Sequence, residues 1–137
     1  MTSGSLDYIA FCGVTAPVSI LSPADRLSAS ELAGLSSKSP SSLVLLDVRD
    51  PIQFELCSLP NSINVPWDGF AEKMKENKDE FQALGGKDVV VVCKMGNDSQ
   101  LAVKLLKEIN KGGLNIRDLR GGLRAWRAEV DPDWPDY

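Results

Sequence analysis

Histidine is absent from this 137-residue chain. That zero removes the Ser-His-Asp triad, the Cys-His dyad, histidine-ligated zinc and a histidine general base. Cysteine is scarce: Cys12, Cys57 and Cys93 stand far apart, and no Cys-x-x-Cys pair offers a zinc knuckle or a thioredoxin-type couple. A histidine-ligated zinc or a zinc knuckle is therefore not expected. An odd thiol count without a secretory signal fits a protein kept reduced, which points to the cytosol. Long apolar runs are missing too. The longest, Val89-Val-Val-Val-Cys93, is far below membrane-spanning length, so no membrane partner is expected. Basic excess is lacking, with 15 Lys and Arg against 19 Asp and Glu, so the footprint of a nucleic-acid binder is absent. Cysteine, serine, carboxylate and lysine chemistry remain.

The length suits one globular domain. Residues 1–25 alternate Ser, Thr, Pro, Gly and scattered apolars without a period and read as a linker or extended arm. The folded unit is expected over 26–137. Ser28-Ala-Ser-Glu31 has the form of a capping box and predicts a helix to about Leu35. Leu43 to Val48 and Asp88 to Cys93 are near-continuous apolar runs, as in strands buried on both faces of a parallel sheet. Asp50-Pro51 starts a short helix, and Ser62 to Val65 is a half-buried strand. Trp67 to Leu84 carries Phe70, Met74 and Phe81 at helical intervals. Ser99 to Lys111 repeats apolar residues at helical spacing and ends at Gly112-Gly113. Asn115 to Leu119 is a further strand, and Gly122 to Val130 a short helix. Alternating strands and helices imply βαβ units, whose ligands bind at the carboxyl ends of the strands.

Cys93 lies at such an end, as the last residue of its expected strand and just before a helix. The loop Cys93-Lys94-Met95-Gly96-Asn97-Asp98-Ser99 turns backbone N–H groups and a helix N-terminus towards its centre, which favours negative charge there. A thiolate at Cys93 would gain from those donors and from Lys94, with its pKa lowered. Gly96 supplies the positive φ of a tight loop. The alternative is a buried apolar cysteine in a plain β–α turn. Residues 93–127 hold eight basic and three acidic side chains, which reads either as a solvated face or as an electropositive surround for the thiol. Arg49, at the end of the first apolar strand, is either a structural ion pair or a residue of the site's mouth. Cys57 is either core packing or a second, relaying thiol. Trp67, Trp126 and Trp134 read as packing anchors.

Four blocks, Leu45-Leu-Asp-Val-Arg49, Leu59 to Pro66, Val91 to Asn97 and Gly121-Gly-Leu-Arg-Ala-Trp126, resemble the rhodanese domain in order and spacing. The resemblance covers about residues 26–137. It implies an α/β fold with a central five-stranded parallel sheet and helices on both faces, Arg26-Leu27 forming a short first strand. It also implies a sulfurtransferase, working without a metal or organic cofactor, in which Cys93 carries a persulfide and the amides from Lys94 to Ser99 cradle the outer sulfur. A phosphatase would need Cys-x5-Arg, and position 99 is serine. A rhodanese module used only for binding would often lack the cysteine.

More narrowly, Cys93 to Gln100 and the closing Trp134-Pro-Asp-Tyr137 resemble the C-terminal domain of eukaryotic adenylyltransferase–sulfurtransferases; Tyr8 to Gly13 resembles the end of their adenylating domain. That resemblance implies three partners: a cysteine desulfurase or other persulfide donor, a ubiquitin-like sulfur carrier ending in Gly-Gly, and an adenylating domain. It implies service to molybdopterin synthesis or tRNA thiolation. Asp98 departs from the cationic or neutral residue usual in rhodaneses that use thiosulfate. It reads either as a donor-selecting charge or as a helix cap.

Overall fold

The computed structural model describes residues 20–38, 40–77, 79, 88–109 and 115–135, and elements are numbered over these residues. Five strands form one parallel sheet in the order β1-β5-β4-β2-β3. They are β1 (Arg26–Leu27), β2 (Leu43–Asp47), β3 (Ser62–Asn64), β4 (Asp88–Val92) and β5 (Asn115–Leu119). The helices are α1 (Ala29–Lys38), α2 (Pro51–Leu56), α3 (Phe70–Glu76), α4 (Asp98–Ile109) and α5 (Gly122–Glu129). The α/β architecture with a five-stranded parallel sheet is as expected, and β1 pairs with β5 through Arg26–Asp118 and Leu27–Leu119.

Strand β4 shows why an unbroken valine run belongs at the centre. Val89 and Val91 face a cluster closed by Phe70 and Met74 of α3 and by Ala102, Val103 and Leu106 of α4. Val90 and Val92 face the opposite cluster, closed by Ala29 and Leu32 of α1 and Leu123 of α5. All four valines are fully buried, each worth about 1.5–3 kcal/mol of transfer free energy. The edge strand β3 leaves Ile63 exposed.

Local signals account for the helix starts. Ser28 Oγ accepts from the Glu31 amide (3.1 Å) while the Glu31 carboxylate accepts from the Ser28 amide (2.9 Å), a reciprocal capping box. Helix α1 runs to Lys38, beyond the expected end near Leu35. Asp50 caps α2 by accepting from the Ile52 amide (2.8 Å), with Pro51 at the first helical position. The tryptophans serve packing: Trp67 lies against the first cluster, its ring 5.6 Å from Phe70, while Trp134 joins the second and Trp126 packs on it.

Of the stretch up to residue 25 read as a linker or arm, residues 20–25 are described, and there the chain is already packed ahead of Arg26. Leu21 belongs to the first core cluster, and Pro23–Asp25 form a 3-10 turn. An amphipathic period cannot register in so short a stretch, so the sequence pattern left it invisible. Cys12, the Tyr8–Gly13 tract, Phe81, Leu84, Lys111 to Gly113 and Tyr137 lie outside the described residues. Among those residues no helix is long and apolar enough to cross a membrane, and no group of three or more Cys, Asp or Glu is placed to hold a metal.

Candidate active site

Strand β4 ends at Val92, so Cys93 is the first residue beyond the strand rather than its last. Its sulfur faces back into its own loop. The Gly96 amide donates to Cys93 Sγ at 3.0 Å and the Ser99 amide at 3.4 Å. The Cys93 thiol donates to Ser99 Oγ at 3.4 Å, and Ser99 Oγ donates to Asp118 Oδ2 at 2.8 Å. Asp118 is in turn held by Arg26, Nε to Oδ1 at 2.9 Å and Nη2 to Oδ2 at 3.1 Å. Ser99 and Asp118 are fully buried.

The loop is shaped from below by two glycines. Gly121 and Gly122 both adopt positive φ (78° and 65°) as α5 begins. Leu123 N–H then donates to the Cys93 carbonyl (2.8 Å) and Arg124 N–H to the Lys94 carbonyl (3.0 Å), so the start of α5 ties down the loop's first two residues. A Cβ on Gly122 would lie 2.6 Å from Cys93 O, Gly96 N and Lys94 C, all backbone atoms. One on Gly96, whose φ is 85°, would meet Gly121 N at 2.7 Å. No side chain fits between loop and helix.

Cys93 lines a cleft of about 550 Å³ whose other walls include Arg49, Pro51, Trp67, Met95 and Asn97. Every loop position singled out from the sequence falls in this region. Lys94, Met95, Asn97 and Asp98 line the cleft, while Gly96 and Ser99 supply the donors to sulfur. Arg49 fulfils both of its readings. Its guanidinium is buried against Asp47 (Nη2 to Oδ2 2.8 Å) and the Cys57 carbonyl, and it also borders the cleft. Cys57 packs against the second core cluster, on the face of the sheet opposite Cys93.

Two electrostatic expectations are corrected. Burial pushes the Cys93 thiol above its ordinary pKa, and Asp98 adds to the rise, while the Ser99 and Gly96 donors pull the other way. Burial of the sulfur at the foot of the cleft outweighs the loop's donors and favours the neutral thiol. The cleft is also not an electropositive surround, since Asp50, Asp68 and Asp98 line it beside Lys94 and the already paired Arg49. Part of the basic excess of 93–127 is spent elsewhere, Arg117 on Asp88 and Lys107 on Asp25. Asp98 occupies the first position of α4 rather than capping it, and burial raises its carboxyl pKa.

Sequence reading missed Arg26, Asp47, Gln100, Asp118 and the Gly121-Gly122 floor as parts of this assembly. A signal existed for one of them: Asp47 is the single acid in the otherwise apolar run Leu43 to Val48, where a carboxylate needs a partner. Nothing local marks Arg26 as the partner of a residue 92 positions away.

Known proteins resemble this chain in sequence and in fold. The chain is 40% identical to adenylyltransferase and sulfurtransferase uba4 of Emericella nidulans over 98% of its own length and 32% of that protein. It is 36% identical to the protein of the same name from Sclerotinia sclerotiorum over its whole length and 31% of that protein. It thus spans about a third of these relatives. Among solved structures, a rhodanese-related protein of Thermoplasma volcanium superposes with a TM-score of 0.56 at 29% identity, covering 80% of this chain and 94% of that one. The human single-domain sulfurtransferase TSTD1 superposes at 0.63 and 24% identity, with 77% and 97% covered, and supports the fold alone. Residues 28–129, from the capping box through the cysteine loop to the last helix, match the rhodanese-like domain, and the chain belongs to that family.

Proposed function

We propose that this domain is a sulfurtransferase that carries sulfur as a persulfide on Cys93, from a protein persulfide to the adenylated C-terminal glycine of a ubiquitin-like carrier. The observation that carries the reading is the Cys93 sulfur facing the Gly96 and Ser99 amides at the foot of an open cleft. Such donors stabilise negative charge on whatever sulfur occupies the loop. The names of the relatives from Emericella and Sclerotinia support pairing sulfur transfer with adenylation. The cleft's carboxylates favour a sulfur delivered on a docked protein over a free inorganic dianion. Ile52 and Leu56, one turn apart and both exposed, add apolar surface to α2, the helix whose Pro51 and Gln53 line the cleft.

The reaction has four steps. The Cys93 thiolate attacks the outer sulfur of the donor persulfide, so an S–S bond forms on Cys93 as the donor's own S–S bond breaks and its cysteine leaves as thiolate. The terminal sulfur, held by the loop amides, attacks the acyl-adenylate carbonyl and AMP departs with the bonding pair. A thiol reductant then attacks Cys93 Sγ and expels the thiocarboxylate. A second thiol resolves the mixed disulfide and restores Cys93. The protein supplies positioning and charge stabilisation, and the proton removed from Cys93 passes to solvent through the cleft.

The test is intact mass after incubation with a cysteine desulfurase and cysteine. The protein should gain the mass of one sulfur atom, lose it to a thiol, and gain nothing as Cys93→Ala. Sulfur loading on the Cys93→Ala protein would overturn the assignment.

A further inference from the structure

Gln100 is fully buried in the first turn of α4 and lines no part of the cleft, yet it lies one bond from the sulfur-holding loop. Its Nε2 donates to the Gly96 carbonyl at 2.8 Å, and its Oε1 accepts from the Ile20 amide at 2.7 Å and the Leu21 amide at 3.1 Å. The Gly96 carbonyl takes a second donor, Arg26 Nη2, at 3.1 Å. One side chain therefore joins the segment leading into the domain to Gly96, the residue whose N–H holds Cys93 Sγ. The two amides it gathers sit 79 and 80 positions away in sequence. An apolar residue would fill the same space on α4 at no desolvation cost, whereas a buried amide is retained only with its partners in place.

We infer that Gln100 is a positioning residue that couples the lead-in segment at Ile20–Leu21 to the sulfur cradle of Cys93. A trans peptide turns its C=O and the following N–H in opposite directions. Tying the Gly96 carbonyl to Gln100 and Arg26 therefore turns the Asn97 N–H away from them, and neither of those side chains lines the cleft. The same tie fixes the rotation of Gly96, whose positive φ leaves it otherwise free to swing its own N–H off the sulfur. Whatever draws the chain ahead of Ile20 loads the Gln100 amide and, through it, the cradle. The coupling is reciprocal: a change at the sulfur alters the hold on Ile20 and Leu21. The inference rests on Cys93 being the sulfur carrier, but its test reads the thiol before any transfer.

The test compares wild type with Gln100→Leu, which keeps the volume and removes the bonds to Ile20, Leu21 and Gly96. The charged groups around the sulfur stay in place: Lys94, Asp98, Asp50 and Asp68 at the cleft, Arg49 with Asp47, and Asp118 with Arg26 behind Ser99. Thiolate absorbance against pH and the alkylation rate of Cys93, read at the peptide level, report the cradle. The variant should titrate at higher pH and alkylate about tenfold more slowly near neutrality, the effect of one pKa unit. Amide exchange at Ile20 and Leu21 should quicken by a similar factor. A folded variant with the wild-type titration curve overturns the inference. Should the variant fail to fold, the wild-type protein decides alone, since sulfur loading or alkylation at Cys93 should change exchange at Ile20 and Leu21 several-fold. Unchanged exchange there overturns the inference as well. Failure of the desulfurase to load sulfur would instead count against the proposed function and leave these measurements readable.

Discussion

Asp118 holds the hydroxyl proton of Ser99. Because Ser99 Oγ donates to Asp118 at 2.8 Å, the oxygen presents its lone pairs to Cys93, whose thiol donates to it at 3.4 Å. The resting geometry is that of a neutral thiol. When the sulfur ionises, Ser99 can donate to it only by turning away from Asp118, while the Gly96 and Ser99 amides need no such move.

Removing the hydroxyl takes away one of the groups that pull the Cys93 pKa down. Ser99→Ala should raise the thiol's titration further and slow sulfur acceptance from a desulfurase several-fold, with a smaller effect at high pH. Single-turnover loading measured across pH checks it. Equal rates in variant and wild type at all pH values would remove Ser99 from the chemistry.

The pH dependence of stability has a defined sign. A thiol with a raised folded pKa binds its proton more tightly when folded, so its contribution is whole below the ordinary thiol range of about 8.5 and is lost as pH rises through the folded value. Wild type should therefore lose stability relative to Cys93→Ala as pH climbs above about 8.5. Urea melts at a series of pH values show the divergence, and parallel curves would contradict it.

Asp118→Asn leaves Arg26 as a buried cation without its carboxylate, its side chain only 8% exposed. Breaking one partner of such a pair costs about 3–5 kcal/mol. Chemical denaturation should show that loss together with slower sulfur loading. A change below about 1 kcal/mol would mean that the pair is solvated as an ordinary surface bridge is.

Gly122→Ala meets three backbone atoms at 2.6 Å and a φ of 65° that alanine resists. The loop and α5 must separate. Strain of about 1–3 kcal/mol is expected in stability, with a much larger loss in sulfur transfer because the cradle itself moves. Transfer at wild-type rate in this variant would show that the loop does not need α5 beneath it.

Asp98→Arg removes a half-buried carboxylate from the cleft and adds a cation. Repulsion of a dianion such as thiosulfate by one partly screened carboxylate is on the order of 1–2 kcal/mol, about tenfold or more in rate. Thiosulfate turnover should rise by at least that factor while loading from a protein persulfide does not. A correctly folded variant with no gain on thiosulfate would end the donor-selection reading.

Much of this site is written locally. The capping box at Ser28 and Glu31, the valine run of β4 and the Cys93 loop all announce themselves within a few residues, because each depends on neighbours in sequence. What sequence hides is long-range pairing. Arg26 and Asp118 meet across adjacent strands, and Ile20 and Leu21 find Gln100 on a distant helix. The sign of the Cys93 shift was also illegible. Loop donors can be counted from a motif, but burial is a property of the finished core.

The place of β5 in the sheet has a consequence for synthesis. Although β5 is the last of the five described strands in chain order, it inserts between the first of them, β1, and β4. A ribosome-bound chain that has released Cys93 still lacks Asp118 to orient Ser99 and the α5 amides that fasten the loop. Until those residues emerge, the reactive sulfur is an ordinary cysteine open to adventitious oxidants. Shielding of the sulfur thus waits for Asp118 and the start of α5, and a nascent chain stalled between Cys93 and Asp118 should oxidise more readily than the folded domain.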